Sequence, residues 1–307
     1  MVEKVTNEML QALFGQQLKG WELARRNYEA LASVKQREID FGKFSVRLQY
    51  NPARMVSTAA MLEKVEERPC FLCSDNRPRE QFEIPEVFGK YDILVNPFPI
   101  FNRHFTIPSI KHKPQRIWGN YPDMLDLAFM LDEYVIFYNG AQAGASAPDH
   151  MHFQAGNKGF LPIENFWEWG MQGFRLPDTG EDGTFAYVSE GMRMFRVFRS
   201  SGRITMIEMM EKYLAAVGSL IEGAEIPMNL LTWYDPDDSN YYSILVARSK
   251  HRPDCYYAEG DAKIVVSPGC VDMAGVIILP REEDFNKITR EDIDRIYREV
   301  SVGKTMP

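Results

Sequence analysis

His150 and His152 stand two residues apart just after a glycine-rich stretch, Asn139-Gly140-Ala141-Gln142-Ala143-Gly144-Ala145-Ser146, and Gln154 follows at the same spacing. Alternation along a β-strand would send all three polar side chains to one face. The run Val135 to Tyr138 reads as a buried strand, so the loop between carries Gly140, Gly144 and Ser146 and can bring backbone N–H groups close to an anion. Two chemistries suit the pair. Imidazoles on one strand face can share a metal ion, or an unprotonated imidazole nitrogen can attack phosphorus near neutral pH. The loop favours phosphorus. A lone histidine would more simply be a half-buried strand residue; two on one face beside an amide argue for a site.

Cys70 and Cys73 form a Cys-x-x-Cys pair flanked by turn-forming residues, Arg68-Pro69 before and Ser74-Asp75-Asn76 after. Tetrahedral zinc needs four ligands, and there is no second such pair, so histidines would have to complete a site. The five histidines are His104, His112, His150, His152 and His251. From spacing alone, zinc, buried free thiols and a redox pair all stay open. Cys255 and Cys270 lie far from this pair and are expected to be structural.

The positioning elements follow from periodicity and punctuation. Residues 5–35 carry an apolar helical stripe, and 44–50 alternate as a strand that ends at Asn51-Pro52. Strands at 91–96 and 103–108 are joined by turn residues and are expected to pair antiparallel. A helix over 122–134 has Pro122 near its first turn and leads into the strand before the glycine-rich loop. Residues 160–200 read as a mixed connection with an exposed loop at 177–184. A helix at about 204–221 and strands at 228–234, 241–247, 262–267 and 274–279 make the second part α+β as well. The expected architecture is α+β, with helices packed on an antiparallel sheet. Its divisions are a helical segment 1–40, a catalytic half 41–160 and a C-terminal half 161–307, read as a degenerate repeat of the first.

Composition narrows the class of ligand. The chain has 307 residues, 45% hydrophobic and 25% charged, which is ordinary for a folded globular protein. A net charge of −8 gives no footprint for a nucleic acid polymer. Small phosphorylated ligands remain open, because a few cations and backbone N–H groups suffice to bind them. The first residues lack the basic start and apolar core of a signal peptide, and no apolar run approaches ~18 residues, so a cytoplasmic protein without membrane partners is expected.

These motifs resemble the histidine triad superfamily, in the branch of galactose-1-phosphate uridylyltransferase and the nucleotide phosphorylases. The matching residues are Asn139-Gly140, Gly144, Ser146, His150-Met151-His152-Phe153-Gln154, the pair Cys70 and Cys73 with Asn76-Arg77, and the segment His104 to His112. The match covers about residues 45–155. The resemblance implies that His152 is a nucleophile that accepts a nucleoside monophosphate. It implies that Cys70, Cys73, His112 and His150 hold a structural zinc. Gln154 in place of a third histidine implies transfer rather than hydrolysis, with its amide donating to a nonbridging phosphoryl oxygen.

Asn96, Asn139, Gly144 and Ser146 are then the expected substrate contacts. The expected donor is a nucleotide sugar or dinucleoside polyphosphate, and the acceptor is phosphate or a sugar 1-phosphate. A homodimer is expected by analogy only. Met151 departs from the proline usual between the histidines in the uridylyltransferases. It suits GDP-hexose phosphorylases, with which the chain also shares Pro114-Gln115-Arg116-Ile117, although those relatives lack the cysteine pair. Arg54, Arg77 and Arg116 are candidates for phosphate contacts, whereas the cluster Arg248 to Arg252 reads as a solvated turn. The alternatives are a hydrolase of the same superfamily and a zinc-stabilised nucleotide-binding protein without turnover.

Overall fold

A computed structural model describes residues 5–55, 68–165, 183–189, 192–218 and 225–302. The chain starts with α1 (Asn7–Gly20) and α2 (Glu22–Leu31), where one helix was expected. Thr6 caps α1 by accepting the Met9 N–H. The break comes at Trp21, whose backbone is extended. Gly20 lies against the Phe82 ring so closely that a Cβ would come within 2.8 Å of it, so the first helix ends where it docks.

Among the described residues, nine strands form one antiparallel sheet: β3 (Glu83–Val87), β4 (Tyr91–Val95), β5 (His104–Pro108), β6 (Tyr134–Asn139), β7 (His152–Asn157), β8 (Gly183–Ser189), β9 (Met194–Ser200), β10 (Met228–Asp235) and β11 (Asn240–Ala247). Their spatial order is β3-β4-β5-β7-β6-β10-β11-β9-β8. Apart from β3, the order reads symmetrically outward from the β6–β10 junction. Each side is a hairpin, a helix and a second strand pair: β4, β5, α3 (Tyr121–Met130), β6 and β7, then β8, β9, α4 (Arg203–Gly218), β10 and β11. The two sides differ at one connection. Residues 140–151 make a long loop between β6 and β7, whereas residues 236–239 make a tight turn between β10 and β11.

Alternation divides the core. Tyr134, Ile136 and Tyr138 of β6 pack with α3 and α4 on one face. Val135 and Phe137 face the other side, where the C-terminal elements lie. These are α5 (Asp254–Tyr257), α6 (Cys270–Met273), β12 (Val276–Leu279), α7 (Glu282–Lys287) and α8 (Arg290–Val300). A small sheet covers the same side: β1 (Lys35–Asp40) pairs antiparallel with β2 (Ser45–Tyr50), and β12 joins β2 in parallel. Each fully buried aliphatic or aromatic side chain here contributes about 1.5–3 kcal/mol, so both layers hold the sheet firmly.

Three expectations change. Residues 262–267 are not a strand: the Ile264 N–H donates to the Cys255 carbonyl and the Val265 N–H to the Asp284 carboxylate. Its apolar residues mimic a strand because the segment is buried, but a carboxylate side chain and a carbonyl of a short helix replace the ladder. The region 160–200 supplies the β8–β9 hairpin at the sheet edge, not only a connection; of the loop expected at 177–184, residues 177–182 lie outside the described residues, as do 219–221 of the expected helix. His150 precedes β7 and sits in the turn after Pro148. Among the described residues no helix is long and apolar enough to cross a membrane.

Candidate active site and metal cluster

Gln115 fixes where β7 begins. Its Oε1 accepts the His152 N–H at 2.7 Å, and its Nε2 donates to the carbonyls of His152 and Asn139 at 3.0 and 2.9 Å. A buried side-chain amide thus supplies the backbone partners where β6 and β7 part, and leaving such groups unpaired would cost about 1–3 kcal/mol each. The His152 side chain folds back so that Nδ1 lies 2.8 Å from the His150 carbonyl. A carbonyl only accepts, so Nδ1 carries the proton and Nε2 keeps its lone pair. Among the described residues Nε2 has no hydrogen-bond partner. Burial pushes the His152 pKa down to about 4, which keeps the ring neutral at physiological pH.

Gln154 is oriented by His104. The His104 Nδ1 accepts the Ile100 N–H at 3.3 Å, so its Nε2 bears the proton and donates to Gln154 Oε1 at 2.9 Å. The amide NH2 of Gln154 is therefore directed away from His104 and is left for another acceptor. His104 is wholly buried beside Phe101 and Phe137. Burial, helped by the nearby Arg54 cation, lowers its pKa to about 3. Tyr28 of α2 ties this strand end down, donating to the His104 carbonyl at 3.1 Å. The motifs that contain His104 and Gln115 assign neither a role; both act through hydrogen bonds to residues far along the chain.

The other expected contacts are held in different ways. Asn96 Nδ2 donates to Thr106 Oγ1, and Thr106 sits directly opposite Gln154. Its Oδ1 accepts the Phe98 N–H and shapes the turn. Asn139 Oδ1 accepts from Asn229 Nδ2 and from the Cys270 N–H, which ties β6 to the C-terminal part. Gly144 has φ +97° and donates its N–H to His251 Nδ1. Ser146 is exposed, and neither its hydroxyl nor its N–H has a hydrogen-bond partner among the described residues.

Arg54 donates to the Phe98 carbonyl, and its cation acts on His104. Arg77 is taken up by Glu83, Asp92 and the Leu72 carbonyl and so braces the cysteine loop. Arg116 is exposed. Arg248 corrects the reading of a solvated turn. Its buried guanidinium donates to Asn229 Oδ1 and to four carbonyls, those of Val300, Pro268, Lys250 and His251.

Cys70, Cys73, His112 and His150 converge with all ligand atoms within 4.8 Å of one another. Cys70 Sγ and His150 Nδ1 are 3.2 Å apart, as are Cys73 Sγ and His112 Nδ1. Tetrahedral zinc bonds of about 2.0 Å to nitrogen and 2.3 Å to sulfur place ligands roughly 3.5 Å apart, so the four donors could hold a metal ion. The His150 Nε2 donates to the Ser109 carbonyl at 2.7 Å, which leaves Nδ1 unprotonated toward the thiols. Asp149 lies 3.7 Å from His112 Nε2. His150 and His152 thus diverge: one turns to the cysteines, the other to the sheet face that carries Gln154.

Residues 13–157 match the family model of a domain of unknown function, DUF4922. No curated protein matches the chain by sequence. Two solved structures of yeast Ap4A phosphorylase Apa2 are similar in fold. The complex with Ap4A is 16% identical, covers 98% of both chains and superposes with a TM-score of 0.61. The complex with AMP is also 16% identical, covers 92% of this chain and 96% of the other, and has a TM-score of 0.57. Over nearly its whole length, this chain has an α+β fold similar to that of Apa2.

Proposed function

We propose that the protein is a nucleotidyltransferase of the histidine triad type, acting on a dinucleoside polyphosphate or nucleotide sugar through a nucleotidyl-histidine intermediate. The observation that carries this reading is the tautomer of His152: with Nδ1–H committed to the His150 carbonyl, Nε2 is an unprotonated nucleophile. In the first step Nε2 forms a bond to the α-phosphorus and the bridging P–O bond breaks, releasing a nucleoside polyphosphate or sugar phosphate. In the second, a phosphate or sugar-phosphate oxygen attacks the same phosphorus and the N–P bond breaks. The ring gains positive charge in the first step, and the Nδ1–H bond to a carbonyl strengthens as it does. The Gln154 NH2 and the Ser146 donors are the candidates for the nonbridging oxygens. The fold similar to a dinucleoside polyphosphate phosphorylase and the absence of a third motif histidine favour a phosphate-bearing acceptor over water.

Zinc suits the two thiols and two imidazoles of the cluster. Four protein ligands leave no open position for substrate, so its role would be structural, binding the cysteine loop to the turn ahead of β7. The symmetric strand order supports reading 41–160 and 161–307 as two related halves; the segment 1–40 ahead of them is not purely helical, since it ends in β1, and only the first half keeps a long loop at the position of its histidines.

The test is covalent trapping. Protein incubated with Ap4A or UDP-glucose labelled at the α-phosphorus should form an acid-labile adduct, and His152→Asn should form none. Discharge of the adduct should require phosphate or a sugar phosphate. No adduct from either donor would sink the reading; full turnover without an added acceptor would favour the hydrolase.

A further inference from the structure

The loop 140–151 is held by the opposite half of the chain. Gly140 donates its N–H to the Met228 carbonyl at the start of β10. Four residues on, the Gly144 N–H donates to His251 Nδ1 at 3.3 Å. Here the loop lies flat on the segment 267–269: a Cβ on Gly144 would come within 2.8 Å of Gly269 Cα and 3.2 Å of the Pro268 carbonyl. His251 is fixed in turn, with Nε2 3.4 Å from Ser267 Oγ, and that hydroxyl accepts from Arg252 Nε at 3.0 Å.

Only an unprotonated Nδ1 can accept the Gly144 N–H. Burial and the cations of Arg252 and Arg248 push the His251 pKa down to about 4, against a smaller upward pull from the Gln142 backbone. The bond is therefore available throughout the neutral range. The other loop amides nearby turn inward, those of Ala143 and Ala145 to the Gly140 carbonyl and that of His150 to the Ala147 carbonyl. Ser146 alone of Gly144, Ala145 and Ser146 keeps an uncommitted N–H among the described residues.

We propose that His251 is a positioning residue for phosphoryl transfer: by accepting the Gly144 N–H it sets the loop shape that presents the Ser146 N–H and hydroxyl to the phosphoryl oxygens. The role rests on the nucleotidyltransfer reading. It assigns a task to the second half, whose own tight turn carries no such loop: that half holds the phosphate-binding loop of the first from outside. Gly144 then serves the site through its conformation and its bond to His251, and Ser146 supplies the contact.

The experiment compares wild-type protein with His251→Leu, which lacks the acceptor, and His251→Asn, which restores one near the Nδ1 position. Two quantities are read: hydrogen exchange of the Gly144 amide by NMR, and the single-turnover rate of adduct formation across α-labelled Ap4A concentrations. His251→Leu should speed Gly144 exchange and lower the saturating rate about 10-fold, the order of one lost orienting hydrogen bond, while half-saturation moves little. His251→Asn should recover most of both. An active wild type whose His251→Leu variant keeps its saturating rate, or loses only affinity, overturns this role alone; so does unchanged Gly144 exchange. A wild type that forms no adduct overturns the nucleotidyltransfer reading and this role with it, whatever the exchange shows.

Discussion

Replacing His104 by Phe tests the chain of bonds that orients Gln154. The ring volume and the contacts with Phe101 and Phe137 are kept, but the Ile100 N–H and Gln154 Oε1 lose their partner. Leaving such groups unpaired costs about 1–3 kcal/mol at any pH. The pH dependence is more specific. His104 has its pKa lowered from 6.5 to about 3 in the folded protein, so the unfolded chain binds more protons between those values. The stability tied to neutral His104 is therefore complete above about pH 6.5 and is lost as pH falls toward 3, at roughly 1.4 kcal/mol per pH unit. Between pH 7 and pH 5 this amounts to about 2 kcal/mol. Urea unfolding of both proteins at the two pH values isolates the contribution, because the other histidines are common to them. His104→Phe should be the less stable at pH 7 and should lose about 2 kcal/mol less than wild type on going to pH 5. Equal losses in the two proteins would show that His104 is not held neutral by burial and would remove the basis for the Gln154 orientation.

Two further substitutions probe the neighbours of this site. Gly144→Ala forces a side chain onto a φ of +97° and a Cβ onto backbone at 2.8 Å, so it should destabilise by about 2 kcal/mol or more in urea and slow adduct formation. Unchanged stability would mean that the loop does not rest on Gly269. Cys70→Ser should lower bound zinc, measured by elemental analysis, together with the melting temperature, since metal held only by the folded state adds its binding energy to stability. A wild-type protein purified without metal, with a melting temperature indifferent to added zinc, would count against the zinc reading.

Much of the sheet was legible because its strands are short apolar runs between turn residues. The β4–β5 pair, β6, and the β10 and β11 strands all stand near their expected positions. One expected helix is two because the periodicity continues through Trp21 while the helical backbone does not. The 262–267 segment reads as a strand because burial alone gives a strand-like composition, and its partners, Asp284 and Cys255, are set by folding rather than by a strand ladder. The four residues of the candidate metal cluster could be grouped from a family resemblance, and folding brings their ligand atoms together. The supporting residues His104, Gln115 and Asn229 gave no such signal, since any buried polar residue reads alike until its partner is known.

The sequence by itself determined the reactive inventory: two histidines and a glutamine at alternate positions, a cysteine pair with histidines to complete it, and a glycine-rich loop ahead of them. Spacing along the chain is local information, and local geometry follows from it. Only the tertiary structure decided where the two side chains point: His150 lies ahead of β7, in the turn after Pro148, with Nδ1 toward the cysteines, while His152 is clamped at the start of the strand by Gln115. Only it placed His251 on Gly144 across more than a hundred residues of chain. Hydrogen bonds choose a tautomer and an amide orientation through partners that folding brings together.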